Sequence, residues 1–275
     1  MKAKKALLTM ATGPYKQSWQ GLCGSNWAQW ATMNGYDLIT IDRELDNSQK
    51  AQRRPKSWQK LLAMASEDIL PYDFCLWIDA DIVINIQAPD PYGQIDPEII
   101  AVTIETGSHF SQDSPLIRRH TRTALAEVAK GQGLEWRDGY FEYWGFSSRG
   151  RPLFNNGVVG FTPRKHAALL HGLYTQWEDG GPGSPAEMIP FNLGVQTAGW
   201  QLLDGRYNRL IFPYSCAWNQ EPREVSVELG EKEVIADGEE LVKTLFKQCY
   251  FLHFAGMHNL MRQMAPELVK LRGLG

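Results

Sequence analysis

The segment Leu76–Ile84, with the sequence LWIDADIVI, places two carboxylates inside an apolar run. Such a run predicts a buried strand, and buried acids are costly unless they are paired or bind a metal. The side chains of Asp79 and Asp81 point to one side of an extended chain, about 6–7 Å apart. Two carboxylates so placed suit a hard divalent cation. The motif predicts a metal site for a phosphorylated ligand; a strand running into an Asp-rich turn is the alternative.

The composition is that of a soluble globular protein, with 275 residues, 43% of them hydrophobic and 21% charged. A net charge of -3 gives no indication of nucleic-acid binding. The four cysteines form no C-x-x-C motif, and Cys75 and Cys249 lie in apolar runs that predict core positions. The basic start is followed by only a short apolar run, which predicts no signal peptide, no integral membrane segment and a cytoplasmic location.

Strands alternate with helices in the first part of the chain. We therefore predict an α/β fold, with a Rossmann-like, mostly parallel central sheet and flanking helices, and with ligands at the carboxyl ends of the strands. We expect one domain over residues 1–275, with 1–105 mainly binding the donor and 106–275 mainly forming the acceptor side and a late metal-ligand strand. The predicted strands are 6–11, 36–41, 73–78 and 99–104, and the predicted helices are 17–34 and 57–70.

The second part is less regular. We predict a long loop over residues 131–156 and a charged strand and helix within 224–243. The other predicted elements are helices at 114–130, 163–178 and 259–271 and strands at 157–161 and 249–254.

Two further motifs carry polar groups at strand ends. His253 closes an apolar strand and is followed by Gly256 and His258. Imidazole binds divalent metals, and glycine lets a backbone approach a phosphate closely; a buried core histidine is the alternative. The sequence Asn155-Asn156-Gly157 precedes another strand. It is typical of a turn, and its amides could also hydrogen-bond a polyhydroxylated ligand.

In this order and spacing, the D-x-D, N-x-G-V and H-F-x-G motifs resemble those of retaining glycosyltransferases with the glycosyltransferase A (GT-A) fold. The nearest are the family of glycogenin and bacterial lipopolysaccharide galactosyltransferases, and the related xylosyl- and galactosyltransferases. The resemblance implies that Asp79, Asp81 and His253 bind Mn²⁺ or Mg²⁺. The ion would hold the diphosphate of a nucleotide-sugar, usually a uridine diphosphate (UDP) sugar.

The resemblance also implies positions around the donor. The expected catalytic residues are Lys60, as the basic residue near the donor, Asn155, which faces the sugar, and Glu187, on the far face of the sugar. The other residues expected to contact the nucleotide-sugar fall into three groups. Thr9, Ala11, Thr12 and Tyr15 would surround uracil and ribose, and Gly256 and His258 would contact the phosphates. Asn192 matches a further Asn of the family.

The chain departs from the family pattern at two places. Met188 follows Glu187 where the family often has Gln, and His258-Asn259 stands where the family has Lys-Pro. These departures weaken the transfer of mechanism and of donor affinity, but not of the fold.

For the chemistry, we expect front-face attack by the acceptor hydroxyl, with Glu187 stabilising positive charge on the sugar; a covalent intermediate on Glu187 is the alternative. The aromatic segment 138–146 is a candidate surface for the acceptor, whether glycan, protein or small molecule; a hydrophobic flap is the alternative. Two rival functions are a metal-dependent nucleotidyltransferase, whose phosphate loop would fit Thr12-Gly13-Pro14 poorly, and a non-catalytic nucleotide- or sugar-binding protein.

Overall fold

The computed structural model describes residues 3–106, 111–131, 152–179 and 186–271. The chain divides into two compact units that alternate along the sequence. The first unit comprises Met1–Ile82, Pro89–Thr103 and Phe154–Asp204, and the second unit comprises Val83–Ala88, Ile104–Leu153 and Gly205–Gly275.

The described strands are, in chain order, β1 (Lys5–Met10), β2 (Tyr36–Ile41), β3 (Phe74–Ile78), β4 (Ile82–Ile84), β5 (Ile100–Ile104), β6 (Phe154–Phe161), β7 (Trp200–Leu202), β8 (Arg209–Leu210) and β9 (Phe251–His253). The described α-helices are α1 (Pro14–Leu22), α2 (Gly24–Asn34), α3 (Gln49–Gln52), α4 (Gln59–Ala63), α5 (Pro115–Gly131), α6 (Pro163–Gln176), α7 (Met188–Ala198), α8 (Ile211–Trp218), α9 (Pro222–Glu228), α10 (Gly238–Gln248) and α11 (His258–Leu268).

A six-stranded sheet in the order β2-β1-β3-β6-β5-β7 forms the centre of the first unit. β1 pairs in parallel with β2 and β3, and β7 pairs in parallel with β5. β6 runs antiparallel to β3, with Leu76 opposite Gly160 and Ile78 opposite Val158. Every residue of β3 and β6 is buried, as expected for strands covered on both faces. The predicted α/β fold class is confirmed.

Two of the predicted helices in the first unit are interrupted. The predicted helix 17–34 breaks at Cys23, whose φ of -124° separates α1 from α2. The break lets Trp19 and Trp27 pack edge to face, with their ring centroids 5.6 Å apart. The predicted helix 57–70 is a short α4 flanked by two single-turn 3₁₀ helices, because Ser66 adopts an extended conformation.

The second unit contains a three-stranded sheet in the order β4-β9-β8 and the helices α5, α8, α9, α10 and α11. The strand predicted within 224–243 is wrong, since α9 and the start of α10 account for the regular structure there. α10 has the capping that helix formation favours: the Asp237 side chain accepts from the Glu240 N–H at 2.9 Å, and two glutamates occupy the first turn.

The cysteine prediction is confirmed, because Cys75 and Cys249 are fully buried and none of the four cysteines is in a disulfide. Among the described residues, no helix is both long enough and apolar enough to cross a membrane. The cytoplasmic location stays a prediction.

Close packing around β6 gives a test of the sheet. A Cβ added at Gly160 would lie 2.9 Å from Ile95 Cδ1, 3.2 Å from the Phe74 ring and 3.3 Å from Ala101 Cβ. We expect Gly160→Ala to lower the free energy of unfolding by about 1–3 kcal/mol, because overpacking a filled core forces its neighbours to shift. The measurement is urea unfolding followed by circular dichroism.

The control for this test is Gly172→Ala on α6, where the nearest atom to a new Cβ is 3.6 Å away. This change should be neutral or stabilising by up to about 1 kcal/mol, since alanine favours a helix. Equal stability of the two variants would contradict the packing assigned to β6.

Candidate active site

Asp79 is held at the carboxyl end of β3 by its backbone and its side chain. Its N–H donates to the Gly157 carbonyl on β6 at 2.8 Å. Its Oδ1 accepts from the indole Nε1 of Trp77, also at 2.8 Å. The antiparallel pairing of β3 with β6 therefore sets the position of Asp79, and the buried Trp77 sets the orientation of its carboxylate.

Lys60 on α4 lies at the centre of a buried polar cluster. Its Nζ is 2.8 Å from Asp79 Oδ1 and 2.9 Å from Asp79 Oδ2. It also lies 3.4 Å from Glu187 Oε1 and donates to Asn156 Oδ1 at 3.2 Å. Its side chain is 8% exposed. Burial alone would lower the pKa of Lys60, but the negative charges of Asp79 and Glu187 outweigh this and raise it, so Lys60 is a cation.

Glu187 immediately precedes α7 and is 3% exposed. Its Oε1 accepts from Asn156 Nδ2 at 3.1 Å, whereas its buried Oε2 meets no hydrogen-bond donor among the described residues. The preceding residue, Ala186, has a φ of 51°, a left-handed conformation that non-glycine residues rarely adopt. Glu187 thus follows a residue with a strained backbone and brings its Oε1 to the cluster.

The structure brings together three of the predicted residues, Lys60, Asp79 and Glu187, and adds Asn156. Asn155, the predicted sugar-facing residue, uses its Oδ1 to accept from the Gly157 N–H at 2.8 Å. Adjacent residues in a strand point to opposite faces, and Asn156 bonds both Lys60 and Glu187; the sugar-facing role of Asn155 stays a prediction. The predicted strand began at residue 157, whereas β6 begins at Phe154; with the correct start, the alternation distinguishes the two amides.

The sequence predicts that Asn192 on α7 contacts the nucleotide-sugar. In the structure, its side-chain amide bonds backbone groups and anchors the helix. It is fully buried. Its Nδ2 donates to the carbonyls of Phe154 and Met188 at 3.0 and 2.8 Å, and its Oδ1 accepts from the Phe154 N–H at 2.6 Å. Both of its donors are therefore used by the backbone, and the first turn of α7 is joined to the start of β6.

Asp79 and Asp81 each offer a carboxylate oxygen, and these oxygens lie within 4.8 Å of each other. Both residues are partly exposed, and they lie between β3 and β4. Burial, with a smaller contribution from the Asp81 charge, raises the pKa of the neighbouring Cys23 thiol to about 12, so this thiol is protonated at neutral pH. The two carboxylates are the hard oxygen donors that Mg²⁺ and Mn²⁺ prefer.

His253 lies at the end of β9 in the second unit and is 3% exposed. Its Nδ1 is 2.8 Å from Asn208 Oδ1. Because an amide oxygen only accepts, Nδ1 carries a proton, so in the neutral imidazole Nε2 carries the lone pair. A histidine whose other ring nitrogen donates to an oxygen is oriented in the way that metal-binding histidines are. Further along the chain, Gly256 has a φ of 72° and His258 is the first residue of α11.

The residues predicted to surround the base and ribose lie at the end of β1 and just after it. Thr9 and Ala11 are fully buried, and Thr9 Oγ1 has no hydrogen-bond partner among the described residues. Thr12 is half-buried, and Tyr15 lies in the first turn of α1. Their contacts with a nucleotide stay a prediction. The predicted acceptor segment 138–146 lies outside the described residues.

Comparisons with known proteins give the fold. No protein-family model matches the chain, and no curated protein matches its sequence. A glycosyltransferase involved in glycosylation of the major capsid of PBCV-1 is similar in structure, with 12% identity, a TM-score of 0.53 and coverage of 95% of this chain and 99% of that chain. This likeness, with the six-stranded sheet, shows a GT-A-type fold.

Two weaker structural matches are also glycosyltransferases. The galactosyltransferase LgtC, solved with donor and acceptor sugar analogs, has 12% identity and a TM-score of 0.46, over 96% of this chain and 95% of its own. GlyE of Streptococcus pneumoniae TIGR4 has 12% identity and a TM-score of 0.49, over 98% of this chain and 63% of its own.

The anchoring role of Asn192 predicts a loss of stability on truncation. We expect Asn192→Ala to lower the free energy of unfolding by about 2–4 kcal/mol, because it leaves the buried backbone groups of Phe154 unsatisfied. Thr197→Ala, at an exposed position on the same helix, is the control and should change stability by no more than about 0.5 kcal/mol. Urea unfolding measures both; a neutral Asn192→Ala would show that the amide does not anchor α7.

Proposed function

We propose that the chain is a metal-dependent glycosyltransferase. It moves a hexose or pentose from a nucleotide-sugar, preferably a UDP-sugar, to a hydroxyl acceptor with retention of configuration. The observation that carries this proposal is the buried cluster of Lys60, Asp79, Asn156 and Glu187 at the carboxyl end of β3. In a GT-A-type sheet, that end is where ligands bind.

Asp79 and Asp81 supply hard oxygen ligands to Mn²⁺ or Mg²⁺, and we propose His253 Nε2 as the third ligand. The donor set fits such an ion for two reasons. The carboxylate oxygens of Asp79 and Asp81 in the first unit lie within 4.8 Å of each other. In the second unit, His253 Nδ1 faces Asn208 Oδ1, which leaves Nε2 to bind a metal. When bound, the ion would act as a Lewis acid on the leaving diphosphate. Gly256 and His258 follow the histidine in sequence and are proposed to contact that diphosphate.

Glu187 is the group proposed to act at the sugar. Its Oε2 is a buried acceptor that meets no donor in the part of the chain that the structure describes, and a sugar hydroxyl or the positive charge that develops at the anomeric carbon would satisfy it. Its Oε1 is already engaged by Asn156 and lies near Lys60. This engagement favours electrostatic stabilisation with front-face attack over a covalent intermediate on Glu187. The acceptor, whether glycan, protein or small molecule, is proposed to bind near the segment 138–146.

A nucleotidyltransferase is disfavoured by the segment after β1. α1 begins at Pro14, and proline has no N–H to offer a phosphate. A non-catalytic nucleotide-binding protein differs from the proposal only in turnover, so the experiments below separate the two.

The first test is isothermal titration with UDP, with and without Mn²⁺. We expect binding that requires Mn²⁺ and that weakens at least about 100-fold in Asp81→Ala, because a lost ligand removes a charge-assisted bond worth roughly 3 kcal/mol. The control, Asp68→Ala, removes an exposed carboxylate and should bind like the wild type. Binding of UDP by the wild type without any divalent ion would refute the proposed metal centre.

The second test separates binding from catalysis. Glu187→Gln keeps the size of the side chain but removes its charge, so we expect hydrolysis of the accepted UDP-sugar to slow by about 10²–10³-fold, as for other electrostatic groups in active sites. UDP affinity should fall by a smaller factor than the hydrolysis rate, since UDP lacks the sugar. A screen of UDP-glucose, UDP-galactose and UDP-xylose identifies the donor. Absence of hydrolysis and of transfer by a wild type that binds UDP would support a non-catalytic protein.

A further inference from the structure

Asp79, which is proposed to bind a divalent ion, already forms an ion pair with Lys60. Both oxygens of Asp79 lie within 2.9 Å of Lys60 Nζ, and Oδ1 also accepts from Trp77. Lys60 is almost completely buried, so its ammonium needs a carboxylate partner, whereas Asp79 is partly exposed. A divalent ion that binds Asp79 must therefore share it with a buried ammonium.

Lys60 has a second set of partners on its other side. Glu187 Oε1 is 3.4 Å from Nζ, and Asn156 Oδ1 is 3.2 Å away. An ammonium has three donors on a flexible stem, and the Glu187 contact is longer than both contacts to Asp79. A small rotation of the lysine side chain would exchange one carboxylate for the other without leaving the charge unpaired.

The charges around Lys60 favour such an exchange. Asp79, Asp81 and Glu187 all act on Lys60 and raise its pKa against the opposing effect of burial. Three carboxylates and one ammonium have a formal charge of minus two, which one divalent ion would neutralise. Removal of the ammonium would leave three negative charges for the incoming ion, and charges at such short range interact strongly in a buried site.

We propose that Lys60 is a positioning residue that competes with the divalent cation for Asp79 and moves toward Glu187 when the cation binds. This inference rests on the proposed function. Its consequence is that the cation binds weakly to the nucleotide-free protein and tightly only together with a nucleotide diphosphate, whose charge compensates for the retained lysine. Lys60 thereby couples the two ligands, and the coupling is reciprocal.

The test is titration of the nucleotide-free, full-length protein with Mn²⁺, with the unbound ion followed by electron paramagnetic resonance. We expect Lys60→Met and Lys60→Gln to bind Mn²⁺ at least about tenfold more tightly than the wild type, a change of about 1.4 kcal/mol. Lys60→Arg keeps the charge and should stay within about threefold of the wild type. The control, Lys56→Met, removes an exposed lysine paired with Glu44 and should also leave the affinity unchanged.

Thermal unfolding supplies a second measurement that does not depend on activity. Without the ion, Lys60→Met should unfold at a lower temperature than the wild type, because the buried Glu187 and the partly exposed Asp79 lose their cation. Saturating Mn²⁺ should then raise its unfolding temperature by more than it raises that of the wild type. Lys60→Gln, whose amide can still donate to Asp79, provides the comparison if Lys60→Met does not fold.

The outcomes separate this inference from the proposed function. Equal or weaker Mn²⁺ binding by the folded neutral variants, with wild-type binding abolished in Asp81→Ala, would overturn the role of Lys60 alone. Tighter binding by Lys60→Arg as well would overturn competition between charges. Absence of Mn²⁺ binding in every folded variant and in the wild type, with and without UDP, would overturn the metal centre itself.

Discussion

The ion pair between Lys60 and the carboxylates of Asp79 and Glu187 is the interaction on which the site depends. The buried Glu187 and the partly exposed Asp79 are stabilised next to hydrophobic elements because a cation is buried with them. α4 contributes the lysine, β3 the aspartate and the start of α7 the glutamate. The electrostatic requirement of a single ammonium therefore holds three separate parts of the first unit in one arrangement.

The position of Glu187 depends on backbone anchoring as much as on charge. Asn192 joins α7 to β6 through two hydrogen bonds to Phe154 and forms a third to Met188 within the helix. Ala186 has a left-handed conformation directly before the glutamate. Because both the oxygen and the nitrogen of the Asn192 side chain are bonded to Phe154, they resist sliding of the helix along the strand. The carboxylate is thus oriented before any ligand arrives, which reduces the reorganisation that catalysis would require.

The sequence motifs named residues that the fold brings together, whereas the periodicity misplaced several elements. Asp79, Lys60 and Glu187 lie in one cluster, because an acid at the end of a hydrophobic run needs a partner; their roles at a donor stay a prediction. The role of Asn156 was missed because apolar neighbours on both faces hide where β6 begins. The extent of α7 was not predicted, since the helix is buried and apolar around most of its circumference and lacks the 3.6-residue pattern of a surface helix. The break at Cys23 accompanies the packing of two tryptophans, which no local pattern encodes.

The position of β6 in the sheet has a consequence for dividing the chain. β3 pairs with β1 on one edge and with β6 on the other, although β6 begins at Phe154. A fragment that ended at residue 105 would contain the D-x-D motif but would leave one edge of the apolar β3 open. An exposed hydrophobic edge recruits strands from other molecules. The expected product of such a truncation is therefore an aggregate rather than an isolated nucleotide-binding half.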